Sequence, residues 1–88
     1  MERQISGAEV TRLALVEAAI RRFGERGYDA VTTRDIADLA AANIGSIAYH
    51  FGGKPGLRRA CANHVISSIR QVAGPELDQP QPWLEPDA

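Results

Sequence analysis

Residues 32–55, TTRDIADLAAANIGSIAYHFGGKP, leave room only for very short helices. Thr32 stands three residues before Asp35, a capping-box spacing with Asp in place of Glu, so a helix starts there. Ile36, Leu39 and Ala40 give it an inward face, and it is expected over 33–41. Ala42 and Asn43 make a tight turn. Asn43 can cap a third helix over 44–50, which Gly52-Gly53 then stops. Two short helices across so small a turn give a helix-turn-helix outline.

The flanks are longer. Leu13, Val16, Ile20 and Phe23 recur at helical spacing, with Arg12, Glu17, Arg21 and Arg22 opposite, which predicts a first helix over 8–25. Gly27 is placed to end it, and Tyr28 and Val31 to fold back onto the core. Lys54-Pro55 opens a fourth helix over 54–72, with Pro55 tolerated in the first turn. Leu57, Cys61, His64, Val65, Ser68 and Val72 form its stripe, and Gly74-Pro75 ends it. The fold class is therefore all-α: a three-helix bundle with a fourth helix. Its expected core is Leu13, Val16, Ile20, Phe23, Ile36, Leu39, Ile47, Phe51, Leu57, Cys61 and Val65. Residues 1–73 are expected to form the domain, and the proline-rich 74–88, with its single Trp83, an irregular tail.

A net charge of −1 hides an asymmetry. Residues 1–73 hold all ten Lys and Arg against seven acids, a net +3, whereas the tail holds four acids and no base. A mildly basic domain suits an anionic partner, and a solvated charged surface suits the same numbers. One cysteine allows no internal disulfide, so a reducing cytoplasm is the expected setting. Arg12, Glu17 and Arg21 interrupt the N-terminal apolar residues, so neither a signal peptide nor a membrane span is expected.

The third helix is too short to be there for packing alone. Ile44, Gly45, Ser46, Ala48 and Tyr49 are its outward positions, and Gly45, Ser46 and Ala48 are nearly bare. A bare helix face lets the backbone come close to another surface, and the major groove of double-stranded DNA accepts such a helix. Tyr49 and His50 can reach phosphate oxygens from its far end. Lys54 and the first amides of the fourth helix lie just beyond. On the other flank, Thr32, Thr33 and Arg34 can hold the opposite strand. Phe51 is expected to anchor inward while Tyr49 and His50 grip outward.

The run FGERGYDAVTTRDIADLAAANIGSIAYHFGGKPGL resembles the N-terminal DNA-binding region of the TetR family of bacterial transcription regulators. The resemblance covers about Leu13 to Val65. It rests on ordered features: F-x-x-x-G-Y, T-x-R-D-I-A, the Tyr-His-Phe cluster and F-G-G-K-x-G-L. It implies a homodimeric repressor, released by a small-molecule inducer, on a palindromic operator. It also implies phosphate contacts at Thr32, Tyr49, His50 and Lys54, and groove contacts at Ile44, Ser46 and Ala48. Two positions depart from the family pattern: Ala41 stands where glycine is usual in the turn, and Pro55 where glutamate often follows the lysine. The family's larger C-terminal domain, which binds the inducer and holds the dimer, has no counterpart in these residues. On the expectation that the fourth-helix stripe is consumed by packing, the chain alone is expected to be mainly monomeric and to lack an inducer site.

Other chemistry finds little support. Cys61 reads as a small core residue without a base beside it, and no nucleophile–base or paired-carboxylate set appears, so no enzyme is expected. His50, His64 and Cys61 lack metal-ligand spacing, and no metal or cofactor is expected. Arg58 and Arg59 read as a solvated face. The competing function is a small helical module that binds protein through the Tyr49 face.

Overall fold

The computed structural model describes residues 6–74; the expected tail and Trp83 lie outside them. The described residues form four helices and no strand: α1 (Gly7–Arg26), α2 (Thr33–Ala40), α3 (Gly45–Phe51) and α4 (Lys54–Ala73). Each boundary falls within a residue or two of the expected one. Ser6 opens α1, its Oγ accepting from the Glu9 amide at 3.1 Å. Gly27 closes it at φ 87°, its N–H donating to the Phe23 carbonyl.

The capping box at α2 is complete. The Thr32 hydroxyl oxygen accepts from the Asp35 amide, and the Thr32 amide donates to the Asp35 carboxylate, both at 3.1 Å. Those bonds hold the Asp35 carboxyl below its ordinary pKa, with the backbone amide of Thr32 as the largest cause. Arg26 at the end of α1 stands 3.8 Å from the same carboxylate, an exposed pair that solvent screens.

The turn after α2 is made without glycine. Ala41 takes the left-handed conformation, φ 56° and ψ 41°. Its amide donates to the Asp38 carbonyl at 3.1 Å, and the Ala42 amide to the Ala37 carbonyl at 2.9 Å. This is the Schellman pattern that normally selects glycine. It swings the chain sharply enough for α3 to begin within a few residues.

The core differs from expectation in how α1 is rotated. Leu15, Val16, Ala18 and Ala19 are its buried residues; Leu13, expected inside, is 41% exposed. Small Ala18 and Ala19 let α2 and α4 approach α1 closely, and the sequence pattern gave their small side chains no weight. Val31, Ile36, Ala37, Ile47, Leu57 and Cys61 complete the buried set, with Ile20, Phe23, Leu39 and Phe51 packed partly against it. Truncating Ile36 or Leu57 to Ala would cost about 2–5 kcal/mol.

Only the first half of α4 contributes. Leu57 and Cys61 are buried, but Val65 is 41% and Val72 90% exposed, with Ile66 and Ile69 exposed between them. The expectation that packing on α1 consumes the α4 stripe is therefore wrong, and with it the ground for expecting a monomer. α4 outruns the bundle, so that the buried residues of its first half give way to exposed ones after Cys61.

Candidate nucleic-acid interface

α3 is held at both ends and presents its middle. Asn43 Oδ1 accepts from the Gly45 amide at 2.7 Å. The Asn43 and Ile44 carbonyls accept from the Ser46 and Ile47 amides at 2.9 and 3.2 Å, a tight 3₁₀-type first turn. Asn43 thus does the work of a cap, although the helix proper starts at Gly45 and Ile44 is already helical at φ −60°. Gly52 ends it at φ 76°, donating to the Ala48 carbonyl at 2.9 Å.

Ile47 alone in α3 is fully buried, wedged into the core between the helices. Ile44, Gly45 and Ala48 are exposed, Ser46 is half-buried, and Tyr49 is 81% exposed. The expected outward face is met at Ile44, Gly45, Ala48 and Tyr49 and only in part at Ser46: small side chains in the first turns, then a projecting phenol. The Tyr49 and His50 rings meet edge to face with centroids 4.9 Å apart, and His50 lies 5.9 Å from Phe51. Phe51 packs partly on the core, as expected of the inward ring of the three.

The flank at α2 is more constrained than the sequence suggests. Thr32 spends its amide and hydroxyl oxygen on Asp35, so only its O–H proton remains to donate outward. Asp35 also sets a carboxylate beside the first amides of α2, which opposes a second anion there. Thr33 is half-buried and Arg34 exposed.

At the α4 flank the geometry goes beyond expectation. Lys54 Nζ lies 4.3 Å from the Tyr28 ring centroid, and the Arg58 guanidinium carbon 4.5 Å from the same centroid. Tyr28 itself is tilted against Phe23 with centroids 5.2 Å apart, which ties it to α1. Arg58 is exposed, as a solvated face implies, but it also meets this ring, and Tyr28 is half-buried and does not turn wholly into the core. The i, i+4 spacing of Lys54 and Arg58 was the available signal; the ring that both meet lies far away in sequence. Arg12 of α1 similarly sits 5.3 Å from the Phe51 ring centroid.

Cys61 Sγ donates to the Val16 carbonyl at 3.7 Å, and burial pushes its thiol pKa up, away from nucleophilic character. Among the described residues, no three His, Cys, Asp or Glu side chains gather as a metal site would require. No helix among them is long and apolar enough to cross a membrane.

The sequence model of the bacterial regulatory proteins of the tetR family matches residues 15–61, which run from the buried Leu15 through α2 and α3 to the buried Cys61. The chain belongs to the TetR family. The chain is 39% identical over 80 residues to the HTH-type transcriptional regulatory protein RaaS of Mycobacterium tuberculosis, covering 88% of this chain and 37% of that protein. It is 40% identical over 81 residues to the HTH-type transcriptional dual regulator CecR of Shigella flexneri, covering 84% of this chain and 36% of CecR. It is 43% identical over 66 residues to the HTH-type transcriptional regulator TtgR of Pseudomonas putida, covering 75% of this chain and 31% of TtgR. The chain thus spans about a third of the length of the curated relatives it matches. No solved structure matches it.

Proposed function

We propose that this chain is the DNA-binding part of a transcription regulator and reads the major groove of its operator with α3. One observation carries the reading. A seven-residue helix fixed at both ends buries a single side chain fully and turns bare Gly45 and Ala48, with Ile44 and a projecting Tyr49, outward beside a half-buried Ser46. A helix face without bulk can bring its backbone against base edges, as helix-turn-helix recognition requires. Ile44, Ser46 and Ala48 meet the groove, while Tyr49, His50 and Lys54 take phosphates beyond the helix end. Thr32, Thr33 and Arg34 take the opposite strand, chiefly through hydroxyl protons and the Arg34 charge. Such phosphate contacts position the helix without choosing a sequence.

Among the relatives, the name of a Rhodococcus jostii protein, KstR2, says repressor, and that of CecR says dual regulator. We assign repression to this chain, exerted by a dimer on two half-sites about 34–36 Å apart in the cytoplasm. A mobility-shift titration against the DNA flanking its own gene tests the reading. Affinity should fall steeply as salt rises, because each phosphate contact releases a counterion. Tyr49 and Ile44, both exposed, would also serve a protein partner; binding that ignores salt and needs no DNA would establish that reading instead. A reporter driven by the same flanking DNA separates repression from activation.

A further inference from the structure

We propose that Tyr28 is a positioning residue that holds Lys54 and Arg58 at one ring as a two-cation grip on the DNA phosphate backbone. The inference rests on the DNA reading above and adds Tyr28 and Arg58 to it. Both cations lie within 4.5 Å of one ring centroid. They sit four residues apart on α4, where like charges repel. A ring face attracts cations through its quadrupole, so Tyr28 offsets that repulsion without neutralising either charge. Among the described residues the ion pairs are Arg21–Glu25, Arg22–Glu25 and Arg26–Asp35, and neither Lys54 nor Arg58 belongs to one. A carboxylate set between two such cations would be a neutralising arrangement. This one leaves both charges uncompensated, directly after the Gly52-Gly53 turn that follows α3.

The ring also removes rotamer freedom from two long side chains before an anion arrives, which lowers the entropy lost on binding. A guanidinium stacked over a ring keeps its edge N–H groups free to donate to phosphate oxygens. Tyr28 is itself fixed by Phe23 of α1, so the cations are referenced to the bundle and not to a mobile loop.

The test is fluorescence anisotropy with two labelled duplexes, one carrying the DNA flanking the gene and one a scrambled sequence of equal composition. Each is titrated from about 50 to 200 mM salt. Arg58→Ala should lower the slope of log affinity against log salt by about one unit on both duplexes, whereas Arg59→Ala should leave it unchanged. Tyr28→Leu should weaken binding to both by about 3- to 10-fold, and Tyr28→Phe, which keeps the ring, should restore it. Thermal midpoints identify a variant that has lost its fold, and Arg58→Ala decides the matter even if Tyr28→Leu has. A wild-type slope in Arg58→Ala, with Lys54→Ala still flattened, would overturn the proposal and leave the DNA reading standing. Tyr28→Phe as weak as Tyr28→Leu would overturn the role of the ring. A wild-type chain without salt-dependent binding to either duplex would overturn the DNA reading, and this proposal with it.

Discussion

Gly56 lies so close to Phe51 that one added methyl group would collide with it: a Cβ there would stand 2.9 Å from the Phe51 carbonyl carbon and nearer still to its oxygen. The first turn of α4 is thus seated on the last residue of α3, and the contact is backbone to side-chain position, which no rotamer change relieves. Alanine would otherwise favour the helix by ~1 kcal/mol. The collision outweighs that, because only a shift of α3 against α4 can accommodate it. Gly56→Ala is expected to destabilise by about 1–3 kcal/mol in urea unfolding and to weaken DNA binding through the displaced α3. An unchanged midpoint would show that the two helices can slide without cost.

The left-handed Ala41 gives the opposite sign. An L-residue with a Cβ loses about 1–2 kcal/mol in that conformation, and glycine does not. Glycine gives back part of the gain through its freer unfolded chain. Ala41→Gly should therefore stabilise by about 0.5–1 kcal/mol, seen as a higher urea midpoint at unchanged m-value.

Acid should loosen the start of α2. The folded Asp35 carboxyl titrates below its ordinary value, so its stabilisation is present above the unfolded pKa of about 4. It is lost as pH falls through the depressed folded value. Glu25, lowered first by its hydrogen bond from Arg22, acts with the same sign. Thr32→Ala should cost about 1 kcal/mol at neutral pH. The gap to wild type should narrow as Asp35 is protonated below about pH 4, measured by thermal unfolding across pH.

Groove and phosphate contacts should separate by mutation. Ala48 is exposed, so Ala48→Glu should leave the unfolding free energy within about 0.5 kcal/mol of wild type. It should abolish specific binding, because bulk and negative charge would then face the groove. Lys54→Ala and Tyr49→Phe should weaken all duplexes alike, the lysine variant flattening the salt slope by about one unit. A changed sequence preference in Lys54→Ala at an unchanged slope would reverse the assigned roles.

Cys61 should resist thiol reagents in the folded state. It is 7% exposed and its thiol pKa is raised by burial, so little thiolate exists at neutral pH. Labelling by a disulfide reagent should follow unfolding by urea. Fast labelling without urea would show that α4 separates readily from α1.

The local punctuation of the chain was legible in its residues. Thr32-x-x-Asp35, Asn43, Gly52-Gly53 and Pro55 act within a few residues of themselves, by side-chain bonds to nearby amides or by restricting φ, so they fix helix starts and stops wherever the chain lies. Exposure of Gly45 and Ala48 in α3 followed too, because Ile47 is its one fully buried side chain. What the tertiary structure alone decided depends on distances between residues remote in sequence. The rotation of α1 onto Leu15, Ala18 and Ala19 depends on how near α2 and α4 come, which small alanines permit and a hydrophobic period does not reveal. The exposure of Val65 and Val72 depends on where along α4 the other helices cross it. The meeting of Lys54 and Arg58 on Tyr28 requires the end of α1 to lie beside the start of α4, a placement made by core packing, which no local motif in either segment encodes.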